Sequence, residues 1–130
     1  MKYLYTFFLL LLSLKFPVLA DEHQVDISGY EELTQDEFHK LVAGKSIKGT
    51  YRRKEYTESY RQDRTFQGNQ SGLLYSGRWE AGENNCVVIV FSDGVRYCWK
   101  MLHNGDDYIF ARYNSDGTVL TMSHHVSIVD

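Results

Sequence analysis

Three turn sequences divide the C-terminal half of the chain at regular intervals: Ser92-Asp93-Gly94, His103-Asn104-Gly105-Asp106 and Asn114-Ser115-Asp116-Gly117. Asn-Gly and Asp-Gly supply residues that tolerate positive φ, which tight hairpins require. Between them lie runs rich in aromatic and β-branched residues: Cys86 to Phe91, Val95 to Leu102, Asp107 to Tyr113 and Thr118 to Ser123, which His124 to Val129 extends. This pattern predicts a meander of four antiparallel strands. The same period of two appears upstream at Ile47 to Tyr51, Glu55 to Tyr60, Arg64 to Gln67 (closed by Gly68-Asn69) and Leu73 to Glu80. A sheet of about seven strands with one apolar face must curl or close to hide its edges. The predicted fold is mainly β: an antiparallel up-and-down meander curling into a lipocalin-like partial barrel, with one short N-terminal helix. A two-sheet sandwich is the alternative.

The helix is expected over Leu33 to Gly44. Thr34 and Glu37 have the spacing of a capping box, in which each side chain satisfies the other's free backbone N–H, and Leu33 is placed to staple onto Phe38. Phe38, Leu41 and Val42 form one apolar stripe. Gly44 is a natural stop, because glycine enters the left-handed region without a Cβ penalty.

The chain of 130 residues opens with Met1-Lys2-Tyr3, then an apolar run from Leu4 to Leu14, then Val18-Leu19-Ala20. That order of charged, apolar and small residues is a secretory leader with cleavage after Ala20, and the run is too short for a permanent membrane anchor. The reading is a signal peptide over 1–20, a flexible lead-in over 21–32 and a single β-rich domain over 33–130. The whole chain has a net charge of −3, and losing Lys2 and Lys15 with the leader makes the remainder more acidic. An acidic exported domain is a poor partner for nucleic acid or an anionic membrane surface. Periplasmic or secreted localisation follows.

The two cysteines, Cys86 and Cys98, imply a structural disulfide in an exported small domain. Their register is demanding. A three-residue Ser92-Asp93-Gly94 loop opposes Phe91 to Val95, which leaves Cys86 and Cys98 diagonal at ~7–8 Å between Cβ atoms. A disulfide needs ~3.5–4.5 Å. A bulge or a wider loop near Phe91 to Gly94 is therefore expected.

No nucleophile elbow, phosphate-binding glycine loop or zinc-protease helix motif occurs, so no catalytic residue, metal or cofactor is assigned. His124 and His125, adjacent in a strand, point to opposite faces and are read as surface or edge residues. The acidic pairs Glu31-Glu32 and Asp106-Asp107 are read as solvated. Lys45 to Arg64 is basic and aromatic, and is read as a solvated face in preference to a site for an anionic partner. Tyrosine and tryptophan are abundant, and both suit ligand pockets and interfaces as well as small β cores.

The order Leu41-x-x-Gly44-Lys45-Ser46-Ile47-x-Gly49, then Phe66, Gly77-Arg78-Trp79, Cys86 and Tyr97-Cys98-Trp99 resembles a group of uncharacterised small periplasmic β-rich proteins of proteobacteria. The resemblance spans Leu41 to Tyr113. It implies an exported, disulfide-bonded protein and transfers no catalytic residue. The functional expectation is a non-enzymatic binding protein for a small amphipathic ligand or a glycan. Tyr56, Tyr60, Tyr97, Trp99 and Tyr108 are the ligand-binding candidates. The alternative is a protein-interaction module, such as an inhibitor or immunity-type protein of an envelope enzyme. Ligand binding predicts an interior cavity, and an inhibitor predicts a filled core with a protruding loop.

Overall fold

The computed structural model describes residues 24–130, and the leader expected over 1–20 lies outside the described residues. Strand β1 (Glu31–Glu32) precedes helix α1 (Gln35–Val42), and eight strands follow. These are β2 (Ser46–Tyr51), β3 (Lys54–Tyr60), β4 (Thr65–Gln70), β5 (Leu73–Ala81), β6 (Val87–Phe91), β7 (Arg96–Asn104), β8 (Asp107–Tyr113) and β9 (Leu120–Val129). Each of β2 to β9 pairs antiparallel with the next. The sheet then closes through β2 on β9, with Ser46 opposite Val129 and Gly49 opposite Val126. It is a closed eight-stranded antiparallel barrel, where a partial one was expected. Closure satisfies both edges that an open sheet would leave bare.

Alternation decides what enters the barrel. Tyr56, Glu58 and Tyr60 on β3 point inward, and Thr57 and Ser59 point outward. One end is stopped by α1, whose Phe38 and Val42 are fully buried. Phe38 meets Tyr60 and Trp79 edge-on at 5.8 and 5.3 Å between ring centres. The predicted capping box is present: Glu37 N–H donates to Thr34 Oγ1, and Thr34 N–H donates to Glu37 Oε1. The helix is tied to the β5–β6 connection by Gln35, whose Nε2 donates to the carbonyls of Gly82 and Cys86.

A second, smaller core lies outside the barrel. Leu102, Ile109 and Ala111 are covered by Val25, Ile27 and Tyr30. Gln24 to Glu32, expected to form a loose lead-in, run along this outer wall. Val25 N–H donates to Ser123 Oγ at 2.7 Å, and Tyr30 Oη donates to Asp107. Glu32, read from sequence as solvated, accepts from Lys100 Nζ at 2.9 Å, where Lys100 is buried against the Tyr113 ring.

The disulfide Cys86–Cys98 is formed, with a Cα separation of 5.2 Å. The bulge expected to permit it is absent. Ser92-Asp93-Gly94 is a three-residue loop with Phe91 N–H on the Val95 carbonyl, and Val88 opposes Cys98. The bridge is reached from the other end of the strand: β6 begins at Val87, so Cys86 has left the ladder after the 3₁₀ turn Glu83–Asn85 and is free to lean over Cys98. Gly68-Asn69 is likewise not a turn. β4 runs on to Gln70, and the hairpin turns at Ser71-Gly72.

The β2–β3 hairpin turns on Arg52-Arg53, with φ of 52° and 66°. Such a two-residue turn favours Asn-Gly, since larger residues pay for positive φ. Replacing Arg52-Arg53 by Asn-Gly is expected to raise stability by about 1 kcal/mol, read as a higher denaturant midpoint at unchanged slope. Replacing both cysteines by serine closes no loop in the unfolded chain and is expected to cost about 2–3 kcal/mol, measured against the oxidised protein by the same unfolding curves.

Candidate functional site

The half of the barrel away from α1 is not filled. A cavity of about 350 Å³ opens between the β2–β3, β4–β5 and β6–β7 turns. Two runs of rings form its walls. On one side Tyr75, Phe91 and Tyr97 follow one another at 6.0 and 6.1 Å. On the other, Tyr51 lies 5.8 Å from His124, and Trp99 stacks on Phe110 at 4.7 Å. Each run ends at the mouth under a guanidinium: Arg52 over Tyr51 at 5.4 Å, and Arg112 over Tyr97 at 4.6 Å.

Glycines keep these rings against the wall. A Cβ on Gly68 would lie 2.1 Å from the Tyr75 ring, and one on Gly49 would lie 3.0 Å from the ring of Tyr56. Both glycines face inward, so each ring occupies space a side chain would take and the lumen stays clear.

Glu58 lies deep in the cavity. Its Oε1 accepts from Tyr60 Oη and its Oε2 from Tyr75 Oη, each at 2.8 Å. Burial pushes its carboxyl pKa up, and the two tyrosine hydrogen bonds offset part of that rise. Burial likewise pushes the hydroxyls of Tyr56, Tyr60 and Tyr75 far up, so all three stay protonated. His124 shares a 2.6 Å hydrogen bond with Tyr56 Oη through Nε2. With the tyrosine as donor, the imidazole proton sits on Nδ1, which is buried with no partner among the described residues. Burial, and secondarily the charge of His125, lowers the His124 pKa to about 4.

Compared with family models, curated proteins and solved structures, the chain matches none.

Of the ligand-binding candidates taken from the sequence, Tyr56, Tyr97 and Trp99 line the cavity. Tyr60 lies beneath it, fully buried between Phe38 and Phe66, and reaches the cavity only through Glu58. Tyr108 is not on the wall; it packs beside His103. The alternation of β3 puts Glu58 on the tyrosine face, but nothing local in the sequence signals its depth. His124, taken as a surface residue, points inward, while His125 points outward toward Asp107 at 3.8 Å. The basic stretch Lys45 to Arg64 is split: Tyr51, Tyr56 and Tyr60 turn inward, Arg52 lies at the mouth, and Arg64 covers Trp79 at the plugged end.

Unfolded histidine binds its proton near pH 6.5, and folded His124 only near 4. Acidification through that window therefore favours the unfolded chain. Glu58 acts in the opposite sense, its raised pKa costing stability as pH rises above 4.5. The His124 contribution, about 3 kcal/mol by linkage, is expected to be complete above pH 6.5 and to fall away toward pH 4. Denaturation curves of wild type and His124→Gln over that range isolate it, since Glu58 contributes equally to both.

Proposed function

We propose that this chain is an exported, non-enzymatic binding protein, periplasmic or secreted, that holds one small amphipathic molecule inside a lipocalin-like barrel. The observation that carries this reading is the contrast between the two halves of the lumen. Around Phe38, Phe66 and Trp79 the barrel is packed solid with side chains, while its other half keeps an aromatic-lined cavity of about 350 Å³. An eight-stranded barrel is just wide enough for side chains to fill or for one small ligand to enter. A mostly apolar concavity with a few convergent polar groups is the usual form of a small-molecule site. Glu58, His124, Arg112 and Tyr75 supply those groups.

Two further observations support the reading. The acid and the imidazole of the cavity are each engaged by tyrosine hydroxyls and not by each other, which suits recognition better than proton transfer. The disulfide fits an oxidising compartment outside the cytoplasm. No helix among the described residues is long and apolar enough to cross a membrane.

Native mass spectrometry of the protein isolated from its own compartment tests the reading. The expected spectrum shows the disulfide-bonded chain with a small-molecule adduct that is lost on denaturation. Gly68→Ala, which forces the Tyr75 ring into the lumen, is expected to lose most of that adduct while still folding. A bare chain, or an adduct that Gly68→Ala holds equally well, would count against the cavity as the binding site. A protein-sized adduct would favour the inhibitor alternative.

A further inference from the structure

We infer that the molecule held in the cavity is an organic monocation: a single ammonium group on an apolar body, with the ammonium against Glu58 and the body along the ring walls. This rests on the cavity being a binding site and names the chemistry of its ligand. Glu58 is the reason. Its side chain is buried at the inner end of the cavity, and its two hydrogen bonds both come from tyrosine hydroxyls. The influences on its charge are burial and these two hydroxyls, with no cationic group among them.

A buried carboxylate needs a charge partner or it gives up its charge. Burial already pushes Glu58 in the second direction. An ammonium entering the cavity supplies the missing partner, and the tyrosine hydroxyls continue to hold the carboxylate oxygens in place. The surrounding surface suits such a guest, because aromatic faces carry a negative quadrupole that attracts cations. Tyr75, which donates to Glu58 Oε2, is itself the first ring of the Tyr75–Phe91–Tyr97 wall. The position of the site's cationic residues limits the ligand to one positive charge. Arg52 and Arg112 stay at the mouth over Tyr51 and Tyr97, and neither has a carboxylate partner among the described residues. A second ammonium at the outer end would lie among guanidiniums.

The test is titration calorimetry on the oxidised protein, refolded from denaturant so that no co-purified molecule remains. The probes are matched sets differing only in head group: phenethylammonium, phenethyl alcohol and hydrocinnamate, then octylammonium, octanol and nonanoate. In at least one set the ammonium is expected to bind about tenfold more tightly than the alcohol, and the carboxylate most weakly. Glu58→Gln, nearly isosteric, is expected to weaken the ammonium by about tenfold and to leave the alcohol within about twofold. Tightest binding by an alcohol or carboxylate would overturn the ligand class while leaving the cavity reading intact. So would an ammonium affinity indifferent to Glu58→Gln. Binding of no probe in either set would overturn both. The ranking of head groups on the wild-type protein needs no variant, so it stands even if Glu58→Gln does not fold.

Discussion

The pairing of Ser46–Gly49 with Val126–Val129 joins the first and last strands of what is otherwise a sequential meander. Every other pairing in the barrel is between sequence neighbours, and the turns alone could bring those together. This seam is different, because it spans most of the chain and pays the largest loop-closure cost. With it formed, Gly49 and Val126 meet inside, and His124 comes within hydrogen-bond reach of Tyr56, which the β2–β3 hairpin already sets against Gly49. The cavity is thus a product of closure: Tyr51 and Tyr56 come from β2 and β3, its histidine from β9, and its tryptophan from β7. An open sheet with the same local structure would hold these residues apart.

Much of the architecture was legible because local chemistry dictated it. The capping box of Thr34 and Glu37, the stop at the end of α1 and the Gly-containing turns of the C-terminal half all rest on backbone needs that a few residue types satisfy. The misreadings arose where a residue acted for tertiary reasons. Gly68 looked like a turn and is a strand residue, small because the ring of Tyr75 lies where its side chain would be. Arg52-Arg53 carries no turn signature, yet both residues adopt positive φ. The disulfide seemed to demand a bulge because Cys86 was counted as part of β6. The chain enters the β6–β7 ladder one residue later, at Val87, and the diagonal is bridged by a cysteine that stands just outside it.

The site was legible only in outline. The abundance of tyrosine and tryptophan pointed to an aromatic interior, and the two-residue period placed Tyr56, Glu58 and Tyr60 on one face. What sequence could not supply was depth. Tyr60 and Tyr56 differ by two pleats, with Glu58 between them, and the position of Phe38 decides that the first is floor and the second is wall. A glutamate in a charged stretch reads as solvated until neighbouring strands enclose it. His124 and His125 divide as strand geometry requires, but which of the two faces the lumen depends on the β8–β9 register, where Phe110 opposes His124.

Phe38 and Val42 stop one end of the barrel, so a ligand of the kind proposed would have to enter past the turns at residues 52–53, 71–72 and 92–94 and leave the same way. By microscopic reversibility, a looser turn that never touches the guest speeds entry and exit by one common factor. Residence time and loading time then shorten together while occupancy at equilibrium is unchanged. For the binding proposed above, a turn that makes no contact with the guest would therefore set the kinetics alone, while the side chains that touch it, the mouth arginines included, would set the affinity.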